Sequence, residues 1–280
     1  MTRRILVTGA TGFVGRQVLR ELLKEDVLVT VVARQPALQK LPKSPKIGPP
    51  CVTGDLFEED ESWWRKNLHG IEVVVHLAWY AEPGKYQLSP KNMDCLLGTL
   101  RMARSAAAVG VKRLVGVGTC LEYAPSNRPL ATSAPLGPCS PYAACKAAAY
   151  LALAHLLPQA GTSFAWCRLF YLHGDGEDPR RLVPTLRKSL VKGDPVALTH
   201  GTQIRDFLDV QEAGRQLAGV SLGRQLGSLN VCSGKPITVR ALAESIADEY
   251  GRRDLLKFGA RPENPEDPPC MVGIPSKFKD

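Results

Sequence analysis

Gly9-Ala10-Thr11-Gly12-Phe13-Val14-Gly15 follows the apolar run Ile5-Leu6-Val7 and opens a helical pattern from Val14 to Leu23. Three glycines spaced three apart thus stand where a buried strand turns into a helix. A residue without Cβ permits the tight turn and lets a phosphate approach the backbone. The helix N-terminus adds unpaired N–H groups and a partial positive charge. With a second strand about 20 residues downstream, this context makes the stretch a cradle for a dinucleotide pyrophosphate. Gly9, Thr11, Gly12, Phe13, Val14 and Gly15 are the expected contacts.

The second strand, Val27-Leu28-Val29-Thr30-Val31-Val32-Ala33, is continuous and β-branched, as a parallel strand buried on both faces requires. It ends at Arg34. An acid here would accept hydrogen bonds from the adenosine ribose 2′-OH; a guanidinium accepts none but pairs with a 2′-phosphate. The expected cofactor is therefore NADP(H) rather than NAD(H), the alternative for Arg34 being a solvated loop residue.

The chain has 280 residues, 44% hydrophobic and 22% charged, which describes a globular protein with one large core or two modest ones. No apolar run approaches the roughly 20 residues of a membrane span. Met1-Thr2-Arg3-Arg4 leads directly into the first strand, so a cytoplasmic location is expected. The eight cysteines form no C-x-x-C pair and read as free thiols; neither they nor the five histidines show metal-ligand spacing. The net charge of +9 comes without a basic block. It suits anionic small molecules better than nucleic acid.

Strand patterns at 4–8, 27–33, 51–53, 71–77, 112–118 and 164–171 alternate with helix patterns at 13–25, 58–68, 90–109 and 141–157. That alternation predicts an α/β fold, a Rossmann-type doubly wound parallel sheet. Residues 35–50, rich in proline, read as an irregular loop. Beyond about 174, helices at 179–192, 210–221 and 238–250 mix with short strands near 195–198, 228–232 and 255–258. The chain is accordingly divided into a cofactor domain, 1–173, and a smaller α/β substrate-binding region, 174–280. The tail, 261–280, with five prolines, is expected to be loosely ordered.

Tyr142 and Lys146 lie four apart on one face of a helix that Ser140 caps and Pro141 opens. A cation beside a phenol favours the phenolate, which suits the pair to acid/base work at a carbonyl or carbinol. Thr119, at the end of the 112–118 strand, is placed to orient a carbonyl oxygen. A Y-x-x-x-K spacing alone is common by chance.

Taken together over residues 3–260, these markers resemble the extended short-chain dehydrogenase/reductases, the NAD-dependent epimerase/dehydratase group. Gly9, Gly12 and Gly15 match its glycine turn. Gly54-Asp55-Leu56 matches its adenine-contacting segment, and His76-Leu77-Ala78-Trp79 the segment lining the nicotinamide. Asn92 matches an asparagine of the next helix. Thr119, Tyr142 and Lys146 match the catalytic Ser/Thr, Tyr and Lys. Gln203-Ile204-Arg205-Asp206-Phe207 matches a segment whose arginine binds the substrate diphosphate, and Asn230-Val231-Cys232-Ser233-Gly234 a strand end. The resemblance implies that Asp55, Leu56, Leu77, Ala78, Trp79, Asn92, Tyr142 and Lys146 hold the cofactor. It places Thr119, Cys120, Arg181, Arg205 and Asn230 at a nucleotide-sugar substrate.

Departures narrow the expectation. Cys120-Leu121 stands where the resembling dehydratases carry Asp-Glu, and neither can serve as a carboxylate acid or base. NADP(H) implies net reduction with cofactor exchange. Thr119-Cys120-Leu121-Glu122-Tyr123 resembles a variant of nucleoside-diphosphate 4-keto-6-deoxyhexose reductases, with Glu122 at the sugar or supporting the loop. The leading expectation is an NADPH-dependent ketoreductase of such a sugar. A 4-epimerase holding NAD and a non-catalytic NADP-binding sensor or RNA-associated protein are the alternatives. Against the family the chain is expected to stop early after its last strand. Helices 90–109 and 141–157, with small and apolar faces, are expected to pair two copies in a homodimer; both faces being buried within one chain is the alternative.

Overall fold

A computed structural model describes residues 2–264 and 267–278. In chain order its elements are β1 (Arg3–Thr8), α1 (Phe13–Leu22), β2 (Val27–Ala33), β3 (Cys51–Val52), α2 (Glu61–Leu68), β4 (Val73–His76), α3 (Lys91–Ala108) and β5 (Arg113–Thr119). There follow α4 (Pro141–Gln159), β6 (Ser163–Leu169), β7 (Tyr171–His173), α5 (Leu182–Lys192), β8 (Val196–Ala197), β9 (Ile204–Asp209) and α6 (Val210–Leu222). The last are β10 (Gly227–Val231), β11 (Pro236–Thr238), α7 (Val239–Asp248), β12 (Leu256–Lys257) and β13 (Cys270–Met271).

Seven parallel strands in the order β10-β6-β5-β4-β1-β2-β3 form the central sheet. Both faces are apolar, because successive strand residues bury on opposite sides. Ile5 and Val7 join a core with α1 and α6, whereas Leu6 joins a core with α2, α3 and α4. The strand order reverses between β1 and β4, so the carboxyl ends of these strands and β5 flank the crevice where such sheets bind ligands.

Local chemistry fixes the helix ends. Asp60 accepts from the Trp63 N–H at 2.7 Å to start α2, and Asp209 accepts from Gln211 at 2.7 Å to start α6. At the far end of α6, Arg113 donates to the Val220 carbonyl at 2.8 Å and Arg3 to Leu222 at 2.7 Å, cations placed at the negative helix pole.

The structure departs from the sequence reading in four places. The run 164–171 breaks at Phe170: β6 stays in the main sheet, while β7 leaves it to pair with β9. Residues 35–50 contain a 3-10 helix, Gln35–Lys40, and a bridge from Ile47 to Val29. Although α6 and β10 lie beyond residue 174, they complete the central layer, so a boundary at 173/174 does not separate two contiguous units. The tail is anchored where it was expected to be loose. Pro262, Pro268, Pro269 and Pro275 mask a strand signal, yet β13 pairs with β9, Met271 and Val272 are buried, and Met271 packs with Phe170 and Cys232. The last residues of that call, 279–280, and 265–266 lie outside the described residues.

Candidate functional site

The glycine turn needs its glycines. Gly9 adopts φ +70°, and a Cβ there would stand 2.7 Å from the Ala78 nitrogen; a Cβ on Gly15 would overlap the Gly9 carbonyl. Thr11, Phe13 and Val14 are partly exposed along this turn at the start of α1. Thr8 Oγ1 accepts from the Ala78 N–H at 3.2 Å and bonds His76 Nδ1 at 2.9 Å, while His76 Nε2 meets Thr99 Oγ1 at 2.9 Å. Burial, with Lys146 nearby, pulls the His76 pKa down to about 3, so this imidazole is a neutral brace between β1 and α3. Arg34 and Asp55, at the ends of β2 and β3, are exposed; Asp55 Oδ1 accepts from the Phe57 N–H at 3.0 Å. Leu56 and Leu77 are partly exposed beside them. The Cβ-free cradle, with its helix N-terminus, fits a dinucleotide pyrophosphate.

Ser140 caps α4 by accepting from the Ala143 N–H at 3.3 Å, with Pro141 in the first turn. That start puts Tyr142 beside Thr119. Lys146, one turn on, donates to the Val117 carbonyl at 2.5 Å and lies 3.9 Å from the centre of the Trp79 ring. The expected depression of the Tyr142 pKa by Lys146 is not what the geometry gives. Burial dominates and pushes the phenol above its ordinary value, with Tyr86 and Glu122 acting in the same direction. Burial likewise lowers Lys146 to about 7. Tyr142 is thus held protonated, the state of a proton donor.

Several expected ligand contacts are spent within the protein. Asn92, expected at the cofactor, is engaged within the protein: its Oδ1 accepts from Trp79 Nε1 at 2.8 Å, and its Nδ2 donates to the Tyr86 and Ser89 carbonyls at 2.6 and 2.9 Å. Asn230 is equally committed, accepting from Tyr123 Oη at 2.6 Å and donating to the Leu130 carbonyl at 2.8 Å. Arg205 is 2% exposed, paired with Asp267 at 2.7 Å and stacked 5.2 Å from the Tyr171 ring centre, so its guanidinium does not stand free. Its neighbour Asp206 accepts from the Ser233 and Gly234 N–H groups at 2.7 and 2.8 Å and from Gly273 at 3.2 Å. Cys120 is buried, and burial pushes its thiol up to about 12, leaving a small neutral group. Arg181 is exposed, 5.6 Å from the Tyr86 ring centre.

Glu122 supports the loop. It is fully buried and accepts from the Thr119 N–H at 2.8 Å, Trp166 Nε1 at 3.0 Å and Arg168 Nε at 2.7 Å. Three aromatic residues complete the wall that the sequence reading did not assemble. Tyr86 stands edge-on to Tyr142 with ring centres 4.7 Å apart, Trp79 meets Tyr142 at 6.5 Å, and Tyr171 stacks under Arg205. Tyr86 and Tyr171 carry no motif; only the fold brings them here.

The family model described as the NAD dependent epimerase/dehydratase family matches residues 5–218. A dTDP-6-deoxy-L-talose 4-dehydrogenase (NAD(+)) of Aggregatibacter actinomycetemcomitans is 25% identical, covering 96% of this chain and 98% of that protein. A dTDP-glucose 4,6-dehydratase of Streptomyces griseus is 28% identical over 90% of this chain and 80% of its own. Among solved structures, the UDP-N-acetylglucosamine 4-epimerase from Methanobrevibacter ruminantium M1 superposes with a TM-score of 0.83 at 25% identity, covering 98% of this chain and 90% of that one.

Proposed function

From the premise that the chain belongs to the NAD dependent epimerase/dehydratase family, we propose that it reduces a nucleoside-diphosphate 4-keto-6-deoxy sugar with NADPH. The observation that carries this reading is the state of the site around Tyr142. Tyr142 stands beside Thr119, a phenol and a hydroxyl for one carbonyl oxygen, and Cys120-Leu121 supplies no carboxylate for elimination of water. Bound in the cradle, the reduced nicotinamide supplies the hydride. Thr119 orients the carbonyl, and the Tyr142 O–H gives its proton to the oxygen that becomes the new hydroxyl. Lys146 lies one turn behind as the charge that balances this transfer. A substrate diphosphate that reaches Arg205 takes the place of Asp267.

For the cofactor, Arg34 is exposed and its side chain engages no partner among the described residues. A groove of about 510 Å³ between α1 and the 3-10 helix that follows Arg34 is lined by Arg16, Arg20, Lys24 and Lys40, which gives this side of the molecule a cationic field. These features support a 2′-phosphate and hence NADP(H). Replacing Arg34 with Asp is expected to shift the ratio of NADPH to NADH affinity at least tenfold toward NADH; an unchanged ratio in a binding titration removes the assignment.

The second reading, a 4-epimerase holding NAD, is favoured by the epimerase among the similar structures. Mass spectrometry of nucleotide released from the denatured protein separates the two. Stoichiometric NAD+ supports the epimerase. An empty or partly filled site, followed by NADPH oxidation on adding dTDP-4-keto-6-deoxyglucose, supports the reductase.

The partner expectation joins this proposal. Met93 and Leu97 on α3 and Leu151 on α4 are each more than half exposed, an apolar face that a second copy would cover. Charge at Leu97 and Leu151, both changed to Glu, is expected to halve the mass measured by light scattering; an unchanged mass sinks the homodimer. No helix among the described residues is long and apolar enough to cross a membrane. A cytoplasmic location remains part of the proposal.

A further inference from the structure

Lys146 sits where an ammonium is costly. It is 3% exposed, and its one hydrogen bond among the described residues goes to the Val117 carbonyl, so two of three N–H donors find no oxygen. The groups facing it give limited help. Glu122, on the turn after β5, favours its charge, but the carboxylate is already shared among Thr119, Trp166 and Arg168. Cys95 on α3 faces it as a thiol that burial raises to about 11, and His76 at the end of β4 is neutral. Tyr142, one turn earlier, is protonated.

The remaining partners are aromatic faces. Lys146 Nζ lies 3.9 Å from the centre of the Trp79 ring and 5.7 Å from that of Trp166. A desolvated ammonium is attracted to the negative face of an indole, more strongly than an exposed one. Trp79 is itself fixed: its Nε1–H donates to Asn92, which in turn holds the Tyr86 and Ser89 carbonyls. The segment 79–90 therefore reaches the active-site helix twice, through Trp79 on Lys146 and through Tyr86 on Tyr142.

We propose that Trp79 is a positioning residue for Lys146, its indole face holding the ammonium charged and in place over the cleft, and its bond to Asn92 tying that position to the 79–90 loop. This rests on the reading of Lys146 as the amine of the proposed reduction. A cationic Lys146 is the form that can stabilise a transient phenolate on Tyr142, so loss of the clamp acts through Lys146 and not through substrate contact.

The test compares wild type with Trp79→Phe, Trp79→Leu and Trp79→Met. The titration midpoint of Lys146 is read by NMR of protein carrying 13C-labelled lysine, without any substrate, alongside melting temperature. The ring-retaining Trp79→Phe is expected to keep the midpoint close to wild type. Trp79→Leu and Trp79→Met, which fill space without a π face, are expected to lower it by about one pH unit. In the ketoreductase assay the same two variants should lose kcat at neutral pH and regain it as pH falls, with KM little changed. Making both apolar variants guards against one that fails to fold. An unchanged midpoint in a folded apolar variant overturns the clamp. Absence of turnover in wild type overturns the functional reading instead, and leaves the midpoint comparison standing.

Discussion

Tyr142→Phe is expected to lower turnover by about a hundred- to ten-thousandfold, the range a positioned general acid contributes. The substitution removes one oxygen from a ring that Trp79 and Tyr86 pack edge-on, so the ring should stay in place. Binding of the dinucleotide at the glycine turn, which does not pass through the phenol oxygen, should change little. Steady-state kinetics with a binding titration checks both halves. Turnover retained within a few-fold of wild type would remove Tyr142 as the proton donor. Thr119 could not inherit the role, because an aliphatic hydroxyl is a far weaker acid than a phenol; it can donate a hydrogen bond to the carbonyl oxygen but not supply the proton.

The largest effect on stability is expected at Arg168→Met. Arg168 and Glu122 form an ion pair at 2.7 Å with side-chain exposures of 1% and 0%. The guanidinium also donates to Tyr123 Oη at 3.1 Å and lies between the rings of Tyr123 and Tyr150, 4.7 and 4.6 Å from their centres. Removing it strands a carboxylate in the core, at a cost of about 3–5 kcal/mol. For a domain of this size that lowers the melting temperature by roughly 10 °C. Arg253→Met is the control, since its pair with Asp248 is exposed and screened by water and should shift the melting temperature little. Equal melting temperatures for the two variants would show that the buried pair does not carry the weight its burial implies. Because Glu122 also fixes the Thr119 N–H, Arg168→Met should lower activity as well.

Local patterns were legible in the sequence. The apolar runs of β1 and β2, the glycines between β1 and α1, and the Ser140-Pro141 start of α4 act within a few residues. Each was read from spacing alone, as was the shared face of Tyr142 and Lys146. What was missed depends on partners far along the chain. Asn230 looked like a ligand contact until Tyr123, 107 residues away, took its oxygen. Asn92 and Trp79, both expected at the cofactor, are hydrogen-bonded to each other, a link their spacing does not announce. Arg205 kept the right residue type, but the tail brings Asp267 to it. The balance at Tyr142 is of the same kind: i, i+4 spacing places a cation nearby, whereas burial, which acts in the opposite direction, depends on everything packed around the ring. The tail failed on composition, since four described prolines outweighed the short apolar pair Met271-Val272.

Asp206 sets an order of events during synthesis. Its carboxylate joins β9 to the turn at Ser233-Gly234 and to Gly273, which lies 67 residues further along the chain. The strands β1, β2, β4 and β5 can pair while the C-terminal half is still inside the ribosome. The carboxylate, in contrast, stays without its last N–H donor until residue 273 has emerged. Until then Phe170 and Cys232 lack the cover of Met271. That interval is when the polypeptide is most exposed to aggregation and to chaperones.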